Sequence, residues 1–284
     1  MADLPAGPLV STNWLAGHLG RADVAIVDAT YHLPTVKRDA RAEFAAAHIP
    51  GAAFFDVDGI ADHSSDLPHM LPSPPEFAAA MEAIGIGSDS MVVAYDAYGL
   101  MSAARAWWML RAFGHDRVAV LDGGLPKWKA EDRPLEGGVP RPRAARFVPR
   151  FRPELVRSKA QMLANLASRA AQVVDARSAG RFRGVDPEPR AGLRGGHIPG
   201  SANVPFNTLL DPDAKTVLQP EDIRARFAAA GIDPARPIVA SCGSGVTACV
   251  LALGLTLIGA RDVAVYDGSW SEWGLPGDTP VESG

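Results

Sequence analysis

The chain is written twice, and this duplication limits its possible folds more than any single motif does. Val24-Ala25-Ile26-Val27-Asp28-Ala29 is echoed by Gln172-Val173-Val174-Asp175-Ala176, and His48-Ile49-Pro50-Gly51-Ala52 by His197-Ile198-Pro199-Gly200-Ser201. SPPEFAAAMEAIGI, ending at Ile86, returns as QPEDIRARFAAAGI, ending at Ile232. Val118-Ala119-Val120-Leu121-Asp122-Gly123-Gly124 returns as Val263-Ala264-Val265-Tyr266-Asp267-Gly268-Ser269, and Trp128 is answered by Trp273. The order is kept throughout at a spacing of about 146 residues, which is a duplicated domain and not the short period of a solenoid.

Within each half, short β-branched runs alternate with helical ones. Ser73-Pro74-Pro75-Glu76 has the spacing of a capping box, and Gly85 stands where that helix ends. Gly231 has the same place after Phe227-Ala228-Ala229-Ala230. Strand–helix alternation predicts an α/β fold, each half a mostly parallel sheet flanked by helices. Gly137 to Pro153 holds four prolines and two glycines, the composition of an extended connector. The expected division is therefore residues 1–137, a linker over 138–153, and residues 154–284.

Composition sets limits on function. The chain is 47% hydrophobic and 21% charged, the balance of a soluble globular protein, and its net charge of −4 gives no reason to propose nucleic acid as a partner. The one basic cluster, RPRAARFVPRFR from Arg141 to Arg152, is interrupted by prolines and reads as a solvated linker. The apolar run from Cys249 to Ala260 is too short to cross a bilayer, so no membrane association is expected. The N-terminal residues lack the basic and apolar regions of a signal peptide. Two cysteines seven positions apart form neither a disulfide framework nor a zinc spacing, and the expected setting is reducing cytoplasm.

One of those cysteines lies in SCGSGVTAC, Ser241 to Cys249, between the apolar run Pro237-Ile238-Val239-Ala240 and the helical VLALGLTLIG. Three chemistries fit a glycine-rich strand-to-helix turn. Gly243 to Ala248 matches G-x-G-x-x-A, and Asp267 follows at about the ribose-binding offset. Only about forty residues remain beyond it, too few for the rest of a dinucleotide sheet, and the repeat supplies Asp122 at the same strand end without the glycines. A cysteine phosphatase needs an arginine closing the loop around the phosphate, and Cys242 to Cys249 contains no basic residue. The third chemistry is a thiolate nucleophile. A cysteine before a helix meets unpaired backbone N–H groups and the positive end of the helix dipole, which favour the anion. Gly243 and Gly245 let the loop curl its amides toward the sulfur. The repeat is an internal control: Asp96 in VVAYDAYGLMSAAR takes the place of Cys242, so the first half has the turn but no thiol. Cys249, inside the helix, reads as inert.

Two domains each carrying HIPG, a cysteine in the second only, and a CGSGVT loop together resemble the rhodanese superfamily. The resemblance extends over nearly the whole chain through Phe54-Phe55-Asp56-Val57-Asp58, His69-Met70-Leu71-Pro72, Ala106-Trp107-Trp108, Gly180-Arg181-Phe182-Arg183-Gly184, Pro187-Glu188-Pro189-Arg190 and Tyr266-Asp267-Gly268-Ser269-Trp270. It implies two tandem rhodanese-like domains, the first without a nucleophile and the second catalytic. Thiosulfate-using members carry basic residues directly after the cysteine, whereas Gly243 and Ser244 resemble the branch whose donor is 3-mercaptopyruvate. By resemblance, Arg181 and Arg190 hold the donor's carboxylate and ketone oxygen, and Asp58, His69 and Ser244 form a proton relay. Guanidinium pairing with a planar α-keto acid and the orienting logic of a triad agree with those roles. His48 and His197 recur in both copies and read as structural.

The implied reaction is sulfur transfer through a Cys242 persulfide, cradled by Gly243, Gly245, Val246 and Thr247. Pyruvate is released, and a thiol (thioredoxin or a small thiol) or cyanide takes the sulfur. No metal or organic cofactor is required. The alternatives are a thiosulfate sulfurtransferase and a non-catalytic sulfur-trafficking binding protein. A disulfide between Cys242 and Cys249 is a weaker idea, because seven helical positions rise by roughly 10 Å.

Overall fold

A computed structural model describes residues 7–284. The strands fall into two five-stranded, wholly parallel sheets. The first holds β1 (Leu9–Val10), β2 (Val24–Asp28), β3 (Ala52–Phe54), β4 (Met91–Tyr95) and β5 (Val118–Leu121), in the order β1-β5-β4-β2-β3. The second holds β6 (Val156–Arg157), β7 (Gln172–Asp175), β8 (Ala202–Asn203), β9 (Ile238–Ser241) and β10 (Val263–Tyr266), in the order β6-β10-β9-β7-β8. The same order in both sheets is the duplication seen in three dimensions.

Helices α1 (Thr12–Ala16), α2 (Ala40–Ala46), α3 (Pro74–Ala83), α4 (Ala103–Ala112) and α5 (Gly124–Ala130) belong to the first half. Helices α6 (Lys159–Ser168), α7 (Ala179–Arg183), α8 (Pro220–Ala229), α9 (Ala248–Leu257) and α10 (Ser269–Trp273) belong to the second. The expected capping box opens α3: the Ser73 N–H donates to Glu76 Oε2 at 2.9 Å. Gly85 and Gly231 follow α3 and α8 with φ of +78° and +74°, a backbone that favours glycine.

The central strands β4 and β9 are buried along their whole length, as MVVAY and IVAS. A strand covered on both faces reads as an unbroken apolar run. Asp28 is level with Tyr95 across β2 and β4, and Asp175 with Ser241 across β7 and β9. The next residues, Asp96 and Cys242, therefore leave the carboxyl ends of equivalent central strands, where parallel sheets present their functional groups.

The HIPG turns are structural in both halves. The His48 ring stacks on Phe44 at 4.1 Å with Nδ1 bonded to Phe44 O, and the His197 ring stacks on Phe182 at 3.8 Å with Nδ1 bonded to Phe182 O. Each histidine also forms an antiparallel bridge, to Glu136 and Glu282 respectively.

By contacts, the N-terminal unit takes in the described residues up to Asp62, Leu71–Arg152 and Asp211–Val217. The C-terminal unit takes in His63–Met70, Pro153–Leu210 and Leu218–Gly284. The basic connector departs from the expectation of a solvated linker. Arg141, Arg143, Arg146 and Arg150 are exposed, but Phe147 is buried against Phe77, with ring centroids 5.6 Å apart. The Phe147 N–H donates to Glu82 Oε1 at 3.0 Å and the Val148 N–H to Ser88 Oγ at 2.8 Å. Phe151 packs on Phe113 with ring centroids 5.6 Å apart and Arg152 pairs with Asp116 through both its terminal nitrogens, so two aromatic contacts, an ion pair and several backbone bonds hold the connector to the N-terminal unit as a strap. Among the described residues, no helix is long and apolar enough to cross a membrane.

Candidate active site

Cys242 is the first residue past β9, and α9 begins at Ala248. Its side chain is buried. The loop is fastened from outside by the residues that open α10. The Cys242 N–H donates to Ser269 Oγ at 3.1 Å, and the Ser269 hydroxyl donates to Tyr266 O at 2.8 Å. The Cys242 carbonyl accepts the Trp270 N–H at 3.0 Å, and the Gly243 carbonyl accepts both the N–H and the hydroxyl of Ser271. The YDGSW motif thus clamps the backbone of the cysteine loop. Gly245 takes φ +76°, and its carbonyl accepts the Cys249 thiol at 3.1 Å. Cys249 is buried inside α9, in keeping with an inert thiol. The loop follows the central, fourth strand of its unit and not a first strand, against the dinucleotide fingerprint.

The first copy places a buried carboxyl at this turn. Asp96, fully buried, accepts N–H bonds from Tyr98 at 2.8 Å, Met101 at 2.7 Å and Ala103 at 2.8 Å. Burial pushes its carboxyl above the usual range, and these amides pull the other way. A loop of this build, entering a helix after the central strand, converges amides on a buried acidic group.

A guanidinium lies beside the second loop. A β-carbon built on Gly243 would sit 3.0 Å from Arg181 Nη2. Arg181 comes from α7, whose N-cap Ser178 takes the Arg181 N–H on its hydroxyl. It is held by Glu188, whose Oε2 accepts from Nη2 at 2.5 Å and Nε at 3.2 Å. Glu188 Oε1 accepts from Arg177 Nη1 at 2.8 Å, and Arg177 in turn grips both oxygens of Asp175, at the end of β7. The Arg177 side chain is 0% exposed and Glu188 3%, so this is a buried chain of alternating charge ending at the loop. Arg177 also lies over the Trp270 ring at 4.2 Å. Burial would lower its guanidinium's proton affinity, but the Asp175 and Glu188 charges outweigh it and hold it above the ordinary value. Arg190 is half-buried on the loop after α7.

Ser244 is buried, and its Oγ lies 3.0 Å from His69 Nδ1. His69 is on the segment His63–Met70 that packs into the C-terminal unit, so this pair meets although 175 positions separate it in sequence. Its φ is +62°, unusual for a non-glycine residue and a frequent mark of a functional position. Asp58, exposed on the turn after β3, belongs to the N-terminal unit and lines a cavity of about 390 Å3 with Arg41 and Thr30. Val246 is buried and Thr247 caps α9.

A rhodanese-like domain model matches residues 11–131 and again 158–275. The chain belongs to the rhodanese family. It is 48% identical over 272 residues to human 3-mercaptopyruvate sulfurtransferase, covering 93% of this chain and 91% of the relative. It is 45% identical over 295 residues to thiosulfate/3-mercaptopyruvate sulfurtransferase 2 of Arabidopsis thaliana, covering 96% and 86%. The crystal structure of a 3-mercaptopyruvate sulfotransferase from Escherichia coli superimposes with a TM-score of 0.85 at 40% identity, covering 93% of this chain and 99% of that one. With two rhodanese-like domains and such relatives over nearly its whole length, the chain is a sulfurtransferase enzyme.

Sequence reading passed over Arg177, Glu188, Ser269 and Ser271 as site residues. Two of these carried a signal in the repeat. Asp175-Ala176-Arg177 stands against Asp28-Ala29-Thr30, and Asp267-Gly268-Ser269 against Asp122-Gly123-Gly124. In the first copy the Thr30 hydroxyl bonds Asp28 where Arg177 bonds Asp175. Gly124 and Ser269 share a left-handed φ, +51° and +49°, so the serine is kept in a conformation glycine adopts more readily. Its hydroxyl holds the Cys242 N–H.

Proposed function

We propose that the enzyme transfers sulfur from 3-mercaptopyruvate to a thiol or to cyanide through a persulfide on Cys242. The observation that carries this reading is the Arg181 guanidinium beside Gly243, one residue from the thiol, which gives an α-keto acid's carboxylate a partner next to the nucleophile. The Cys242 thiolate attacks the donor sulfur. An S–S bond forms, the C–S bond breaks, and its electron pair passes to the departing carbon as pyruvate enolate. Arg181 and Arg190 stabilise the oxygen charge that develops. The donor's thiol proton ends on that carbon, giving pyruvate, and the Ser244–His69 pair carries it, with Asp58 orienting the imidazole. The persulfide rests among the amides of Gly243, Gly245, Val246 and Thr247, much as Asp96 does in the first copy. An acceptor thiolate, from thioredoxin or a small thiol, or cyanide then takes the outer sulfur and restores Cys242.

In this reading residues 154–284 carry the nucleophile, Ser244 and the arginines, residues 1–137 supply Asp58 and His69, and 138–153 connect them. Two free thiols suit a reducing compartment, for which the cytoplasm is proposed. The Arabidopsis relative's name couples thiosulfate with 3-mercaptopyruvate, which favours some thiosulfate turnover here as well. The test is pyruvate and thiocyanate release from 3-mercaptopyruvate plus cyanide, beside thiosulfate plus cyanide, with Cys242→Ser as control. A strong preference for mercaptopyruvate and a dead variant support the reading. A preference for thiosulfate replaces the donor and keeps the nucleophile. No turnover and no added sulfur on Cys242 by mass spectrometry, in folded protein, leaves a binding protein.

A further inference from the structure

Each unit has a cleft at the amino-terminal end of its sheet, opposite the end at which Asp96 and Cys242 emerge. In the N-terminal unit the cleft is about 240 Å3 and lies between Ile26, Pro50, Gly51 and Gly85 on one side and the chain's own Pro140–Arg143 on the other. The strap runs close: a β-carbon on Gly85 would lie 3.1 Å from Arg143 N and 3.5 Å from Pro142 Cβ. Residues 140–143 form no helix, strand or turn, and two prolines in four residues favour an extended chain.

The corresponding cleft of the C-terminal unit is lined by Val173, Pro199, Gly200 and Gly231, and it is open. Its volume is about 630 Å3, and a β-carbon on Gly231 would meet nothing within 4 Å. No described segment crosses it. Its charge differs too. In the first copy Arg21, on the cleft wall, is neutralised by Asp23 through two contacts of 3.0 Å. In the second, Arg169 and Arg236 both line the cleft and are exposed, and neither side chain has an ion pair or hydrogen bond among the described residues. Arg169 is followed by two alanines and ends α6 in the left-handed conformation, φ +47°, a position where glycine is the commoner choice. That backbone brings its Nη1 to 3.7 Å from where a β-carbon on Gly200 would stand, at the cleft floor.

We propose that this cleft docks an extended, acidic, proline-containing segment of a partner protein. The first copy supplies the shape of the occupant, and the two unpaired guanidiniums supply its charge. Prolines suit the site because a preformed extended chain loses little entropy on binding. The site lies at the far end of the sheet from Cys242, so occupancy leaves the chemistry free to proceed, and the proposal does not depend on which sulfur donor the enzyme uses.

The probe is a capped hexapeptide copying residues 139–144 with both arginines replaced by glutamate, added to the full-length isotope-labelled protein. The expected result is a saturable change in the amide resonances of Gly200, Gly231 and Ile232, while the unmodified arginine peptide produces none. Arg169→Glu with Arg236→Glu is expected to weaken the acidic peptide about tenfold, the scale of two exposed charge contacts, and to create binding of the arginine peptide. Both arginines are exposed, so the double variant is expected to fold, and Arg169→Ala serves as a milder second variant. Equal binding of the two peptides by the wild type, shifts that ignore the substitutions, or no saturable shift with the acidic peptide would each overturn the proposal.

Discussion

Glu188→Gln isolates the part of the site that sequence reading passed over. The substitution keeps the shape of the side chain and removes one charge from a buried row in which Asp175, Arg177, Glu188 and Arg181 alternate in sign. A glutamine offers one carbonyl oxygen and one amino group, so it can accept from one of its two arginines while turning N–H toward the other. Arg177 keeps Asp175 and the Gly196 carbonyl, at 2.7 and 2.8 Å. Among the described residues the side-chain hydrogen bonds of Arg181 all go to Glu188, so the displacement falls on Arg181. Losing a charge-assisted hydrogen bond in a buried setting costs about 2 kcal/mol. At about 2–4 °C per kcal/mol for chains of this class, the melting temperature is expected to fall by about 4–8 °C. If Arg181 orients the donor carboxylate, its loss of position raises KM for 3-mercaptopyruvate by about tenfold, equal to about 1.4 kcal/mol, with a smaller change in kcat. The assay is steady-state pyruvate release over a range of donor concentrations, run beside thermal denaturation. Unchanged KM would refute the orienting role. A lowered KM would mean that Glu188 competes with the substrate for Arg181.

Three further outcomes follow from the geometry. Gly243→Ala is expected to raise KM severalfold while stability changes by no more than about 0.5 kcal/mol, since the loop's φ there is not left-handed and the new methyl group would press on the flexible end of Arg181; denaturation and kinetics together check this. Asp96→Ala leaves the amides of Tyr98, Met101 and Ala103 without their buried acceptor, and at least about 2 kcal/mol of stability is expected to be lost by urea denaturation. His115 is held below its ordinary 6.5 chiefly by burial, so in the unfolded chain it takes up its proton at a higher pH than in the folded one. Stability is therefore expected to fall as pH drops below 6.5 toward the folded value, at up to about 1.4 kcal/mol per pH unit for this one proton. His115→Gln is expected to remove that share of the slope in denaturation curves collected at successive pH values.

Most of the fold was legible because a parallel α/β unit announces its strands as short apolar runs and its helix ends as caps and glycines, and here each signal is written twice. The Ser73 capping box, Gly85 and Gly231, and the structural HIPG histidines all came from local pattern. The site was legible where chemistry sits on a local motif, as at Cys242. It was not legible where function depends on a distance across the fold. No spacing rule links Glu188 to both Arg177 and Arg181, and none links His69 to Ser244. The connector's arginines dominate its composition and are mostly exposed, whereas buried Phe147, Phe151 on Phe113 and the Arg152–Asp116 pair, which no local pattern announces, decide where it lies.

The two copies also separate the cradle from the catalyst. Asp96 carries a carboxyl where Cys242 carries sulfur, and three amides already converge on it, so the amide cradle at this turn does not depend on a nucleophile. What the C-terminal unit adds is the arginine row, the Ser269 hydroxyl under the Cys242 N–H and a Ser244–His69 pair whose histidine comes from the first half of the sequence. Where Arg177 anchors that row, the first copy has Thr30 closing back on Asp28, and where Ser269 stands, it has Gly124. Asp96→Cys in a Cys242→Ser background would thus put a thiol in an amide cradle without those groups. Mass spectrometry after incubation with 3-mercaptopyruvate is expected to find no added sulfur on that thiol, with the parent enzyme's Cys242 as the positive control. Sulfur uptake at position 96 would mean that the cradle alone suffices and that the arginine row serves stability and not the donor.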